Sequence, residues 1–477
     1  MAEFFSPGLM ERLGTLWRDL VPQREEPMVE GLQPDLPDSD REIVRAQMKS
    51  CLEGKGGDVS ARTRAAQLGK AYLSLNAKGK EHFLRLMAED FDTDHRAVDA
   101  AISRLLAAVD PDARDQAERS LRKTLDAPRR KLLTQFNALP NGVKFLVDMR
   151  SDLMPLAKKD RHLRGLENDL KYLLRSWFDV GFLELRQITW DSPASILEKI
   201  VAYEAVHAIK DWHDLKNRLD SDRRLYAFFH PRMPDEPLIF VQVALLAGLA
   251  GNIQELLDIG APVGDASEAN TAIFYSISNA QRGLDGISFG NFLIKKVVQT
   301  LSKEFSNLKT FATLSPMPGF RKWLDGYLAE KGDAALLPAE QKQLAAFAKK
   351  QGLSGKTGLA GCLQRPDLLE DAALAEVIRE PLIRLGALYL ALEKRPAREE
   401  GGVATAANPV AHFHLTNGAR IERLNWVGDR SANGMEQAYG LMVNYLYKLN
   451  EIERNHEIYS EQGKAVLSSS VRALLKG

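Results

Sequence analysis

Between about residues 38 and 178, apolar side chains recur every three or four positions. Leu163, Leu166, Leu170, Leu173 and Leu174 form one such series with charged residues between them, and Ala97, Ala100, Ala101, Leu105 and Leu106 form another. Asn76, Asp110-Pro111, Ala127-Pro128 and Pro140-Asn141-Gly142 punctuate the run and divide it into helices of ordinary length. The pattern predicts an N-terminal all-α helical bundle over residues 1–180. No cluster in it looks chemically committed, so it reads as a scaffold or oligomerisation domain.

The periodicity changes after Asp179. Residues 182–190 read as a short extended segment, and Ser192-Pro193 reads as an N-cap followed by proline at the first helical position. Residues 238–245, 271–277, 308–314 and 410–415 are apolar or β-branched runs that predict strands. Helices alternate with them, notably over 291–305. Strands alternating with helices predict a C-terminal α/β domain over 181–477, so the chain as a whole is α+β and multidomain. Helical spacing returns over about 335–395, through Leu344, Ala345, Phe347 and Ala348 and then Leu382, Ile383, Leu385 and Leu388. This stretch reads as a helical insertion between two strands of one sheet.

Composition narrows the function classes. A chain of 477 residues exceeds one hydrophobic core, and 45% apolar with 27% charged residues is an ordinary globular profile. Lys plus Arg equals Asp plus Glu at 64 each, so no net field draws the chain to nucleic acid or an anionic membrane. The longest apolar stretch, residues 238–251, is too short to span a bilayer and is broken by Gln242. Two cysteines, Cys51 and Cys362, support neither a disulfide framework nor a cysteine-rich metal site. Glu3, Glu11 and Asp19 fit neither a secretory signal nor an acid-poor transit peptide, and the terminal Leu-Leu-Lys-Gly is not the common peroxisomal tripeptide. The expected location is cytoplasmic.

Candidate chemistry gathers in three places. Residues 271–295 read as a strand, a loop with Gly283, Gly286 and Gly290, and an amphipathic helix that Asn291 would cap. Glycines admit a ligand close to the backbone, and free N–H groups at a helix start attract phosphate, with Lys295 and Lys296 adding charge. A plain tight turn is the competing reading. The text Gln281-Arg282-Gly283-Leu284-Asp285-Gly286 resembles the pyrophosphate turn of the acetyl-CoA-dependent acetyltransferases, although its glycine spacing departs from the strict pattern.

Ser315 ends a predicted strand ahead of Pro316-Met317-Pro318-Gly319, where it either faces a cleft or bonds its own backbone as a turn serine. In a strand over 410–416, His412 and His414 would share a face with Val410 and Thr416. No further ligand at a familiar spacing makes the two histidines a metal pair. Periodicity does not choose between them.

Several long motifs in order carry a resemblance. They are His230-Pro231-Arg232-Met233-Pro234-Asp235-Glu236-Pro237-Leu238, the stretch 271–295, Leu314-Ser315-Pro316-Met317-Pro318-Gly319-Phe320, and Asn408-Pro409-Val410-Ala411-His412-Phe413-His414-Leu415-Thr416-Asn417-Gly418. With Leu424-Asn425-Trp426 and residues 440–447 (GLMVNYLY), they closely resemble the malonyl-CoA decarboxylase family from about Trp190 to Tyr447. The resemblance implies a helical N-terminal domain, an acetyltransferase-like catalytic domain, and conversion of malonyl-CoA to acetyl-CoA and CO2 without a metal or organic cofactor. It implies Ser315 as the catalytic serine and His414 as the catalytic histidine. Asp285, Gly286, Ile287, Ser288, Phe289, Gly290 and Asn291 match the CoA-binding loop, and Tyr447 matches a tyrosine near the active site. A homo-oligomer, tetramer or dimer, is implied as well. The main rival is a CoA-dependent acyltransferase, for which neither an acceptor site nor a base is identifiable. Weak discrimination against methylmalonyl-CoA is expected, because the added methyl is one small apolar group.

Overall fold

The computed structural model describes residues 31–53, 57–287, 292–351, 358–397 and 402–476. Its described residues divide into two compact units. The first takes those up to 184 together with 229–238 and 279–287, and the second takes 185–228, 239–278 and those from 292 onward.

In the first unit, helices α1 (Asp38–Glu53), α2 (Gly57–Ser74), α3 (Ala77–Asp90), α4 (His95–Ala107), α5 (Pro111–Leu125), α6 (Pro128–Asn137), α7 (Gly142–Ala157) and α8 (Arg161–Trp177) follow in order. The punctuation residues do the starting. Asn76, Asp94, Asp110 and Asp160 each accept a backbone N–H at a helix N-terminus, and Pro111 and Pro128 open α5 and α6. Gly142 opens α7 where a Cβ would lie 1.9 Å from the Phe136 carbonyl oxygen, so only glycine fits. Leu163, Leu166, Leu170 and Leu174 of α8 are fully buried, each contributing roughly 1.5–3 kcal/mol of burial. The α4–α5 pair differs: Leu106 and Val109 stay 81% and 98% exposed, and α5 buries nothing.

The second unit carries a mixed sheet. Its strands are β1 (Glu184–Ile188), β2 (Arg223–Phe229), β3 (Ile239–Leu246), β4 (Thr271–Asn279), β5 (Thr310–Thr313), β6 (Ser315–Pro316), β9 (Arg420–Asn425) and β10 (Met442–Tyr447), with β7 (Lys394–Arg395) and β8 (Thr405–Ala406) forming a separate pair. The order is β1-β2-β3-β4-β5-β10-β6, with β9 on the other edge of β10. β4 and β5 are parallel, whereas β10 runs antiparallel to β5, β6 and β9. Helices Pro338–Lys350, Leu359–Leu363 and Ala372–Leu392 lie in sequence between β6 and β9 of this one sheet, as the spacing over 335–395 predicts.

Two local expectations are corrected. Residues 410–415 are not a strand: Pro409–Thr416 is a helix, capped by the Asn408 side chain on Ala411 N–H, with Pro409 in its first turn. Six residues of alternating polarity also satisfy a short helix, and the Asn-Pro start signal decides the case. Ser192 is not an N-cap: the helix Ala194–Tyr203 starts after Pro193, and Ser192 Oγ instead accepts the Thr189 N–H. Among the described residues, no helix is long and apolar enough to cross a membrane.

Candidate active site

β5 and β6 lie on the same edge of β10, with Ala312 opposite Leu446 and Ser315 opposite Val443, and Leu314 falls in the break between them. Strand alternation sends Leu314 into an apolar cluster with Ala312, Ile273, Tyr275 and Met442, and sends Thr313 and Ser315 to the opposite face. The ladder is irregular at this point. The Tyr445 N–H donates to the Thr313 side-chain oxygen at 3.1 Å, and the Thr313 carbonyl accepts from Asn444 Nδ2 at 2.7 Å. A register shift between Asn444 and Tyr445 marks the same place on the β9 side. Ser315 Oγ donates to Thr313 Oγ1 at 2.8 Å.

His414 reaches this face from the helix Pro409–Thr416. Its Nε2 is 3.2 Å from Ser315 Oγ and its Nδ1 is 2.7 Å from the Tyr447 hydroxyl. The Tyr445 ring stacks on the imidazole, with centroids 4.5 Å apart and planes at 25°. Ser315 and His414 are 5% and 3% exposed, so the pair sits in a site closed to bulk water. Burial drives the His414 pKa down to about 3 and raises the phenols of Tyr445 and Tyr447 well above their ordinary range. All three groups are therefore neutral across ordinary pH.

The helix also separates the two histidines. Two residues on a helix are about 200° apart, so His412 turns to the Tyr459 hydroxyl, 2.9 Å from its Nδ1, while His414 faces Ser315. Among the described residues no group of three or more His, Cys, Asp or Glu is placed to hold a metal ion.

Asn408 joins the two halves of the site, a role the sequence reading missed. Its Oδ1 caps the histidine helix and its Nδ2 donates to the Pro318 carbonyl at 2.9 Å, which also accepts from the Tyr389 hydroxyl. The serine turn and the histidine helix are thus held by one buried amide. Gly319 ends that turn at φ +81°, a conformation other residues resist. Thr313 and Tyr445 were missed too. Thr313 had one signal: it stands two positions before Ser315 and so shares its strand face.

The glycine-rich turn is partly described. Asp285, Gly286 and Ile287 belong to the first unit; Asp285 accepts from Asn279 Nδ2 at 2.8 Å, burial pushes its carboxyl pKa up, and Gly286 adopts φ +74°. Ser288, Phe289, Gly290 and Asn291 lie outside the described residues. Gly283 has a packing reason of its own. A Cβ there would lie 1.8 Å from the Val147 carbonyl oxygen of α7, and its carbonyl accepts from the buried Arg150 at 2.6 Å. Lys295 pairs with Glu453 at 2.7 Å.

The geometry is thus a hydroxyl, an imidazole and a phenol in a neutral chain. Where serine hydrolases back the imidazole with a carboxylate, a phenol stands here, so among the described residues a developing imidazolium has no counter-charge at Nδ1. The chain suits proton donation better than activation of a nucleophile.

Comparisons with known proteins agree with one another. Residues 181–477 match the family model for the malonyl-CoA decarboxylase C-terminal domain, and residues 91–178 match the model for its N-terminal domain. The chain is 37% identical over 414 residues to mitochondrial malonyl-CoA decarboxylase of Anser anser anser, covering 84% of this chain and 80% of that protein. The mitochondrial enzyme of Mus musculus is 38% identical over 417 residues, covering 84% and 82%. Among solved structures, malonyl-CoA decarboxylase from Rhodopseudomonas palustris superposes with a TM-score of 0.80 at 40% identity, covering 91% of this chain and 99% of that one. The structure from Agrobacterium vitis gives 0.79 at 40%, with the same coverage.

Proposed function

The chain belongs to the malonyl-CoA decarboxylase family and is a carboxy-lyase converting malonyl-CoA to acetyl-CoA and CO2, and we propose that Ser315 and His414 carry that reaction. Loss of CO2 leaves a thioester enolate, which needs stabilisation and then a proton on carbon. The thioester carbonyl is itself the electron sink. Ser315 holds the malonyl carboxylate by a hydrogen bond, perpendicular to the thioester plane, so that the breaking bond overlaps the π system. His414 supplies the proton, a contribution of about 10²–10⁴ in rate. The observation that carries this reading is the contact of a buried, neutral imidazole with Ser315 Oγ, 3.2 Å from Nε2. Steady-state turnover of malonyl-CoA tests it: His414→Ala and Ser315→Ala should each lose about 10²-fold or more in kcat. Near-normal turnover by His414→Ala would remove the assignment. CoA release that depends on an added amine acceptor would instead favour an acyltransferase.

Residues 285–291 are the proposed CoA-binding loop, supported by its glycines and its family match. The assembly we propose is a homo-oligomer, dimer or tetramer, supported by the apolar Leu106 and Val109 that the α4–α5 pair leaves exposed. The proposed location is cytoplasmic, supported by two buried, unpaired cysteines. The animal relatives are named mitochondrial, and fractionation of the native cell decides the point.

A further inference from the structure

A neutral imidazole carries one proton, and the partners of its two nitrogens decide which of them holds it. Around His414 the hydrogen bonds form one self-consistent chain. The Tyr445 N–H can only donate, and it donates to Thr313 Oγ1 at 3.1 Å. Between Thr313 and Ser315 the donor is the Ser315 hydroxyl, at 2.8 Å. A serine hydroxyl has a single proton. Once that proton is committed to Thr313, Ser315 Oγ can only accept from the nitrogen 3.2 Å away, so His414 Nε2 bears the hydrogen. Nδ1 is then the bare nitrogen, and the Tyr447 hydroxyl at 2.7 Å is its donor. Thr313 is completely buried, so water does not compete for its oxygen.

Resting on the assignment of Ser315 and His414 as the reacting pair, we infer that Thr313 is a positioning residue that draws the Ser315 proton away from His414 and so fixes the imidazole as its Nε2–H tautomer. The pair is thereby a proton donor and not an acylating nucleophile. A serine hydrolase needs the reverse arrangement, with its hydroxyl donating to a bare Nε2.

The reaction then balances without an acyl-enzyme. The incoming carboxylate takes over from Thr313 as acceptor of the Ser315 proton. The carbon–carbon bond breaks, CO2 departs, and the bonding pair passes into the enolate. Ser315 O–H then gives its proton to carbon while the Nε2 proton moves to Ser315 Oγ. The electron pair left on the ring is stabilised by the Tyr447 O–H at Nδ1. A solvent proton restores Nε2–H after acetyl-CoA leaves.

The test is ¹⁵N NMR of the full-length protein with labelled histidine rings, the His414 signals among nine histidines being identified by their loss in His414→Gln. The wild type should show Nε2 protonated and Nδ1 bare. Thr313→Val keeps the shape and removes the acceptor, so in the free enzyme it should move the proton toward Nδ1 and lower kcat/KM by about 10²-fold. Thr313→Ser should restore both. A wild-type spectrum with Nδ1–H overturns the inference, and that measurement needs only the His414→Gln reference spectrum beside it. An unchanged tautomer and kcat/KM in Thr313→Val also overturns it. These failures are separable from failure of the site itself: if His414→Gln abolishes turnover while Thr313→Val changes nothing, only the role of Thr313 falls.

Discussion

Burial alone moves the His414 pKa from its ordinary 6.5 to about 3, and that shift has a thermodynamic consequence at the scale of this one residue. In the unfolded chain the ring takes up a proton as pH drops through 6.5, whereas in the fold it does so only near 3. The unfolded state therefore binds more protons across this window, and stability falls as pH is lowered from 6.5 toward 3, by up to about 1.4 kcal/mol per pH unit. Above 6.5 the ring contributes no pH dependence. His414→Gln should accordingly lose less stability than the wild type between pH 7 and pH 4.5, read as the shift of the denaturant midpoint. Equal acid sensitivity in the two proteins would contradict a buried neutral imidazole. At this scale Ser315 was legible as a strand-end residue beside a rigid turn, and the ordered family motifs singled out His414 over His412. Thr313 and Tyr445 were not legible as partners, because the contact joins strands 132 positions apart and leaves no local trace in either.

At the scale of elements, the short helix Pro409–Thr416 places the histidine, and Asn408 both starts it and ties it to the serine turn. Asn408→Ala removes the cap, at a cost of about 1 kcal/mol, and leaves the Pro318 carbonyl with one donor fewer. Because the same amide registers His414 against Ser315, kcat should drop about tenfold or more while the far-ultraviolet circular dichroism stays that of the wild type. A variant that loses stability but keeps full kcat would confine Asn408 to a structural role. This element also shows where periodicity reaches its limit. The leucine series of α8 extends over three turns and has a single solution, so Leu163 to Leu174 were readable as a buried helical stripe. Over residues 410–415 a two-residue and a 3.6-residue period fit equally well, and the deciding signal sat outside the window, in Asn408-Pro409.

For the whole molecule, the division into a helical first half and a mixed sheet flanked by helices was legible because the periodicity itself changes after Asp179. How the chain threads between the two units was not, since no composition shift marks 229–238 or 279–287. The α4–α5 pair bears on the proposed homo-oligomer: Leu106 and Val109 are apolar and largely exposed. Leu106→Glu with Val109→Glu should lower the mass of the particle by light scattering while leaving the circular dichroism unchanged. An unchanged mass would remove this pair from the proposed oligomer contact.

The threading of the first unit carries a consequence for how this protein is made. The chain leaves that unit after residue 184 and returns to it twice, and the second return delivers the Gly283 carbonyl that accepts from the buried Arg150. A ribosome that has released only the first 180 residues has therefore not yet supplied every piece of the helical unit. Until residues near 283 emerge, the Arg150 guanidinium has Glu167 as a partner but lacks its second acceptor. The helical unit is completed only after four of the eight strands of the sheet have been synthesised, so its folding is timed by its neighbour's translation.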